Sequence, residues 1–109
     1  MLHDVAVYAV FEVVLAPDAP ADVVARYAEY RAAVPRLIDR HGGSYLARAA
    51  PGESLEGEPT AGRWHLVEFP NAEAAHAFWN SPEYADLQPL RHGAADVRAI
   101  LIDPETQPA

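Results

Sequence analysis

Four stretches of the chain are predicted to be β-strands, and the first of them is rich in the β-branched and aromatic residues typical of strands. They are residues 5–14, 44–49, 63–69 and 97–102. In the first, VAVYAVFEVV, the odd-numbered residues form a wholly apolar face, whereas Tyr8 and Glu12 bring polar groups to the other. In the third, RWHLVEF, the alternation places His65 on one face with Val67 and Phe69. We expect that face to look toward helices.

Helical periodicity separates these strands. Between about residues 21 and 40, residues recur at steps of three and four to form one stripe, namely Val23, Tyr27, Tyr30, Val34, Leu37 and His41. Pro35 lies inside this segment and is expected to kink or split it. The pair Gly42 and Gly43 is expected to end it, because a helix C-terminus commonly needs a residue with positive φ. Asn71 and Ser81 are N-cap signals for two further short helices.

The order of elements is strand, helix, strand, strand, broken helix pair, strand. This is the ferredoxin-like βαββαβ pattern, an α+β fold with a four-stranded antiparallel sheet and helices on one face. A length of 109 residues predicts a single domain spanning residues 1–109. Its core is expected at about residues 5–102, followed by a polar tail at residues 103–109.

A sheet covered on one face only would leave an apolar patch in water. The side chains on that second face are Tyr8, Val10, Leu46, Trp64 and Leu66. Contiguous apolar patches usually mark interfaces, and twofold dimers are the commonest homo-oligomers. We therefore expect a homodimer in which two sheets pack face to face, with Tyr8, Trp64 and Leu66 at the interface.

Composition and charge narrow the possible partners and locations. The chain has no cysteine, which excludes disulfides, thiolate catalysis and cysteine-ligated metals. A net charge of −8 makes nucleic acid a poor partner. There is no apolar run long enough to span a membrane, and the first ten residues do not resemble a secretory signal. We expect a cytoplasmic protein with no membrane partner.

Several runs together resemble a known family. They are HGGSYLARA, SLEGE and HLVEFPNAEAAHAFWNSPEYADLQPLR, and the similarity extends from about Tyr8 to Ile102. The combination of the GG-x-[YF]-L-x-R element, the E-F-P strand end and the S-P-E-Y cap resembles the family called domain of unknown function 1330, a member of the dimeric α+β barrel superfamily. Two positions depart from the family pattern: His65, where an aliphatic residue is usual, and Ser44, where a basic residue is usual.

This resemblance implies the ferredoxin-like fold and the sheet-to-sheet dimer, but it implies little about chemistry. The wider superfamily includes cofactor-free monooxygenases, haem-degrading enzymes, lactone isomerases, polyketide cyclases and stress-induced proteins. A shared fold does not select one of these activities. Tyr84 and Arg91 match the family's S-P-E-Y and L-R positions, and their role stays open.

His65 is the first candidate for a catalytic residue. Its imidazole is expected on the helix-facing side of the third strand, near Tyr45 and beneath the stripe that carries Tyr27 and Tyr30. Burial would lower the pKa of a histidine and keep it neutral, as a general base must be. The alternative is a core histidine that is hydrogen-bonded to a tyrosine or a carbonyl. Tyr30 is the second catalytic candidate, because its hydroxyl could donate to a substrate oxygen.

The remaining aromatic residues of this side are candidates for substrate binding. They are Tyr27, Tyr45, Phe11, Phe69, Phe78 and Trp79. Such residues serve equally well as core packing, because tyrosine combines an apolar body with a polar tip.

Arg48 and Glu68 are expected on the dimer-facing sides of strands two and three. Charges at an interface need partners, so an ion pair at the dimer centre is the expectation, with a catalytic arginine–carboxylate pair as the alternative.

Metal and cofactor motifs are not evident in the sequence. The five histidines show neither H-x-H nor H-E-x-x-H spacing. A dinucleotide fingerprint, a P-loop and a nucleophile elbow are missing as well. We expect no metal and no cofactor.

The leading functional hypothesis is a cofactor-independent enzyme acting on a small apolar or aromatic carbonyl compound. The expected reaction type is proton transfer that leads to isomerisation, dehydration or cyclisation. Such a reaction would belong to secondary metabolism. One alternative is a non-catalytic ligand-binding or stress-related dimer. Another is a cofactor-free monooxygenase.

Overall fold

The computed structural model describes residues 5–104. Its strands are β1 (Val7–Leu15), β2 (Ser44–Pro51), β3 (Arg63–Phe69) and β4 (Ala95–Ile102). Its helices are α1 (Ala21–Arg40), α2 (Ala72–Trp79) and α3 (Pro82–Leu87), and a 3₁₀ turn follows at Gln88–Arg91. The four strands form one antiparallel sheet in the order β2-β3-β1-β4. The predicted ferredoxin-like α+β fold is confirmed. The start of the chain and most of the polar tail lie outside the described residues.

The ends of the helices follow the local chemistry of the sequence. The Asn71 side chain accepts a hydrogen bond from the Ala74 amide at 2.8 Å, and Ser81 Oγ accepts one from the Tyr84 amide at 3.1 Å. Both bonds satisfy amides that a helix N-terminus leaves without partners. The second cap places Tyr84 on the inner side of α3, where it is buried.

Helix α1 continues through Pro35 as one element, so the expected split does not occur. It ends where Gly42 takes a φ of 81°. The Gly43 amide donates to the Ile38 carbonyl at 2.9 Å, and the Gly42 amide donates to the Asp39 carbonyl at 3.0 Å. This is the Schellman arrangement, which turns the chain sharply into β2. A side chain at position 43 would meet Ile38 and Phe69, so close packing of helix against sheet also requires glycine there.

The core lies between the sheet and the helices. Its largest fully buried side chains are Phe69, Phe78, Leu37, Ile38, Val7 and Val67. Tyr27 joins a second, smaller cluster with Val13 and Ala94 toward the other end of β1. The helix-facing side of the sheet is therefore the apolar side predicted from the alternation.

The opposite face of the sheet carries apolar side chains that the helices do not cover. Cross-strand pairing aligns Val10 with both Leu66 and Ile100, and Tyr8 with Ile102. Ile100 is 43% exposed and Ile102 is 50% exposed. This open face is the surface for which the sequence predicts a dimer contact.

The loop between β2 and β3 is tied to one end of the open face. Thr60 Oγ1 donates to the Glu12 carboxylate at 2.8 Å and accepts from the Trp64 indole at 3.2 Å. Trp64 and Glu12 are themselves cross-strand partners. Thr60 of the loop therefore provides hydrogen-bond partners for the Glu12 carboxylate of β1 and the Trp64 indole of β3.

Helix α1 is the longest helix described, with 20 residues. None of the helices within residues 5–104 combines the length and the apolar character that crossing a membrane requires.

Candidate functional site

A cavity of about 360 Å³ lies between α1 and the helix-facing side of the sheet. Seven of the residues singled out from the sequence line it, namely Phe11, Tyr27, Tyr30, Tyr45, Arg48, His65 and Phe78. Tyr84, Arg31 and Arg63 line it as well. The structure thus brings together the histidine and the tyrosines that alternation and helical spacing placed on this side.

Phe69 and Trp79 do not line this cavity. Phe69 is 1% exposed and belongs to the core, where it packs against Phe78. Trp79 lies against Phe11 and Tyr84, with ring centroids 6.3 and 4.8 Å away. Both residues border a neighbouring cavity of about 170 Å³, which shares Phe11 and Phe78 with the larger one.

His65 is held at the wall of the main cavity by one backbone contact. The Ala49 amide donates to Nδ1 of His65 at 3.2 Å, and the ring meets Tyr45 edge-on with centroids 6.0 Å apart. Because Nδ1 accepts, the single proton of the neutral ring must lie on Nε2. Nε2–H is then a hydrogen-bond donor. This geometry differs from that of the expected general base, which would need an unprotonated nitrogen available to the substrate.

An irregularity in β2 produces this contact. The register of β2 on β3 shifts between Tyr45 and Ala47 and again between Ala47 and Ala50. Among residues 5–104, Ala49 is the non-glycine residue with a positive φ, at 50°. Alanine adopts this region at a cost of order 1 kcal/mol or more, which the surrounding structure must offset. The amide of Ala49 is directed to His65 at this point.

The same irregularity corrects the expectation for Arg48. The register places Glu68 opposite Ser44 and Tyr8, not opposite Arg48. The Arg48 guanidinium lies over the Tyr45 ring, 5.2 Å from its centroid, and lines the cavity. Each bulge adds a residue to β2 and changes which side chains face the helices. The expected Arg48–Glu68 pair at the dimer face is therefore wrong.

Burial lowers the pKa of His65 below its ordinary value of 6.5, and the nearby Arg48 charge lowers it further. Both effects disfavour a second proton on the ring. That proton would lie on Nδ1, where it would face the N–H of Ala49. Nearby Tyr45 is affected by the same surroundings: burial raises the pKa of its hydroxyl, and Arg48 opposes the rise. Both rings are thus neutral at physiological pH.

The lowered pKa of His65 predicts a pH-dependent stability. The unfolded chain, with the ordinary pKa, binds a proton more readily than the folded chain, so acid favours unfolding and stability rises with pH. We expect the free energy of unfolding to fall as the pH drops below about 6.5, and part of that fall to disappear in His65→Gln. Urea unfolding at pH 7.5 and 5.5 measures it, with His92→Gln at an exposed site as the control. An unchanged pH dependence in His65→Gln would contradict a lowered pKa of His65 in the folded chain.

Two tyrosines and an arginine form a hydrogen-bonded chain at another part of the wall. The hydroxyls of Tyr30 and Tyr84 lie 2.8 Å apart, and Arg91 Nη1 donates to the Tyr84 hydroxyl at 3.2 Å. Because Arg91 can only donate, the Tyr84 oxygen accepts from it. When the Tyr84 hydroxyl donates its hydrogen bond to the Tyr30 oxygen, the Tyr30 O–H is left to donate to a ligand. Burial, reinforced by Tyr30, raises the pKa of Tyr84, so this residue stays protonated.

The sequence did not assign roles to Tyr84 and Arg91. The sequence does predict the helix N-cap at Ser81, and this cap directs Tyr84 inward. Its partner Tyr30 is 54 residues away, so no local pattern connects them. Tyr27 completes the aromatic wall by stacking on Tyr30 with centroids 5.8 Å apart. Burial raises the pKa of Tyr27 as well.

The polar side chains of residues 5–104 that line the cavity are hydrogen-bond donors, and none of them is acidic. Within the described part of the chain, the lining contains His65, four tyrosines and three arginines, and no aspartate or glutamate. No group of three histidine, cysteine, aspartate or glutamate side chains in residues 5–104 is arranged to hold a metal ion. The cavity can donate hydrogen bonds to an oxygen-bearing molecule and can enclose an apolar body.

The model of the family described as domain of unknown function (DUF1330) matches residues 7–104. The chain belongs to the DUF1330 family. The matched region takes in all four strands and every residue of the cavity. A comparison with curated protein sequences finds no match.

Solved structures share the fold of this DUF1330 chain. A protein of unknown function from Rhodopseudomonas palustris, RPA0582, is 23% identical, with a TM-score of 0.69 over 97% of this chain and 86% of that one. A dimeric protein of unknown function and ferredoxin-like fold from Bacteroides fragilis is 13% identical, with a TM-score of 0.58 over 90% of this chain and 95% of that one.

A third structure has a named activity. SnoaB, a cofactor-independent oxygenase from Streptomyces nogalater, is 12% identical, with a TM-score of 0.54 over 94% of this chain and 95% of that one. At these identities the likeness concerns the fold. It adds no assignment of residues in the DUF1330 chain.

Proposed function

We propose that this chain is a cofactor-independent enzyme that binds a small, largely apolar or aromatic carbonyl compound in the cavity beneath α1. The observation that carries the proposal is His65: its Nδ1 accepts from the Ala49 amide, which leaves its N–H at Nε2, and the residue lines a cavity of about 360 Å³ with an aromatic wall. A volume of this size is at the lower end of ligand pockets, which fits a molecule of one or two rings.

The proposed chemistry is polarisation of the bound carbonyl. Nε2–H of His65 and the Tyr30 hydroxyl donate hydrogen bonds to the carbonyl oxygen. When the bond from the adjacent carbon to hydrogen breaks, its electrons form the carbon–carbon double bond of an enolate, and negative charge collects on that oxygen. Fixed donors stabilise such charge because they need no reorganisation during the reaction. The released proton passes to water or to a basic group of the substrate, and reprotonation elsewhere completes an isomerisation.

A non-catalytic binding role is the second candidate, and a specific observation favours it. The lining residues of the described chain include no carboxylate, and His65 in this tautomer cannot accept a proton at Nε2. A site that is rich in hydrogen-bond donors and has no carboxylate base can bind an oxygen-bearing ligand without transforming it. The cofactor-free monooxygenase is supported only by the fold shared with the oxygenase SnoaB.

One assay separates these candidates. 2-Tetralone is a two-ring ketone with acidic C–H bonds beside its carbonyl, and in D₂O its loss of those hydrogens is followed by proton NMR. The enzyme proposal expects binding together with exchange that is faster than the buffer rate. Binding without accelerated exchange would leave the non-catalytic role, and oxygen uptake at an electrode would favour the monooxygenase. Absence of binding at millimolar concentration would count against the proposed site.

We also propose that two copies pair through their open sheet faces. The exposed apolar side chains of that face support this assembly, and a ferredoxin-like relative described as dimeric agrees with it. Pairing would leave the helix-facing cavity of each copy on the outer side of its sheet. Each protomer would then hold its own complete site.

A further inference from the structure

The charge around the cavity is opposite to that of the protein as a whole. The chain has 16 acidic residues against 8 basic ones, a net charge of −8. Three of its arginines, Arg31, Arg48 and Arg63, line the cavity, while no acidic residue of the described chain does. An acidic protein that keeps carboxylates away from one cavity and brings three guanidinium groups to it has a site suited to negative charge.

Two of these arginines, Arg31 and Arg48, have aromatic rings as neighbours of their guanidinium groups. Arg31 lies over the face of Tyr27 at 5.3 Å, and Arg48 lies over the face of Tyr45 at 5.2 Å. A ring face orients a guanidinium but does not neutralise it, so the N–H groups at its edge stay available. Within residues 5–104, the ion pair that forms is between Arg26 and Asp22 on α1, and it involves none of the three.

We propose that the ligand of this cavity carries a carboxylate, or an equally anionic oxygen group, beside its carbonyl, and that Arg31, Arg48 and Arg63 recognise it. This inference rests on the proposed function and names its substrate class: a small aromatic or apolar oxo acid. All three are exposed residues as well as lining residues, so we place the anionic group of the ligand at the open side of the cavity. The apolar body of the ligand then lies inward against the aromatic wall, and the carbonyl meets His65.

Phenylpyruvate and its methyl ester are a matched pair for the test. They share the aromatic ring, the 2-oxo group and the exchangeable methylene, and they differ in the negative charge. We expect phenylpyruvate to bind at least about 10-fold more tightly than the ester by isothermal titration calorimetry, because charge-assisted hydrogen bonds to a carboxylate are among the stronger ones. Raising the salt from 50 to 500 mM should weaken binding of the acid more than that of the ester.

Variants test which arginine binds the carboxylate of the ligand. Arg48→Gln should weaken phenylpyruvate binding by about 10-fold and change ester binding little. Arg26→Gln, an equivalent loss of charge from α1 outside the cavity, should leave both affinities unchanged. Circular dichroism of each variant checks that the fold is retained. The salt comparison on the unmodified protein needs no variant.

The outcomes separate this inference from the proposed function. Equal affinity for acid and ester, or equal losses in Arg48→Gln and Arg26→Gln, would overturn the anion inference while leaving a carbonyl-binding site. Charge-dependent binding of phenylpyruvate without faster exchange of its methylene hydrogens would uphold the anion inference and overturn the enzyme. Failure of both compounds to bind at millimolar concentration would count against both.

Discussion

His65→Ala is expected to lower the rate of hydrogen exchange in a bound ketone by roughly 10²–10³-fold, the loss typical of removing one fixed donor to a developing oxyanion. The reason is the state of the ring: the Ala49 amide donates to Nδ1 at 3.2 Å, so the ring proton lies on Nε2, and in the proposed complex that N–H donates to the carbonyl oxygen. Binding should weaken much less, because most of the ligand contact is aromatic. Proton NMR in D₂O measures the exchange, and calorimetry measures the affinity.

His65→Gln distinguishes a donor from a base. A glutamine amide can donate a hydrogen bond but cannot take a proton at neutral pH. A donor role therefore expects His65→Gln to retain much more activity than His65→Ala, whereas a base role expects the two to be equally inactive. Equal and near-complete loss in both variants would restore the general-base interpretation. No loss in either would make His65 a packing residue, and the non-catalytic binding role would then lead.

Leu66→Glu is expected to convert a dimer into a monomer. Leu66 lies at the middle of β3 on the open face, opposite Val10 and Ala47 of the neighbouring strands. In a twofold pairing of sheets, a glutamate there would lose its hydration and would approach the glutamate of the second copy. Such juxtapositions cost several kcal/mol, so the dissociation constant should rise by at least about 10²-fold.

Light scattering at micromolar concentration measures this change. The unmodified protein should have twice the mass of one chain and bury more than about 1,000 Å² in its interface. Val24→Glu makes the same change at an exposed position of α1 and should leave the mass of the dimer intact. A monomeric unmodified protein, or a Leu66→Glu variant that stays dimeric, would exclude pairing through this face.

Local rules predicted most of the fold. Strict alternation in RWHLVEF gave β3 its observed bounds of Arg63–Phe69, and Asn71 and Ser81 cap their helices as expected. These features depend on neighbours within three or four residues, where spacing and side-chain chemistry are sufficient. The split predicted at Pro35 is wrong: α1 continues through it, with Val34, Leu37 and Ile38 packed in the core on either side.

The site was predictable only in part, because its decisive contacts are long-range. The face occupied by Arg48 depends on two register shifts between β2 and β3, and register is a property of the pair of strands. The proton position on His65 depends on the Ala49 amide, which those same shifts direct toward the ring. Alternation could place His65 beside a cavity, but it could not tell a donor from a base.

The two tryptophans of the chain lie on different sides of the sheet. Trp64 is on the open face, with its indole bonded to Thr60, whereas Trp79 lies against Tyr84 on the side of the cavity. The intrinsic fluorescence of the protein therefore has two components with separate origins. If two chains pair through the open face, emission from Trp64 should respond to their association. Emission from Trp79, whose ring contacts Tyr84 at the cavity wall, should respond to a ligand bound there. A single-tryptophan variant of each kind would then follow one event without the other.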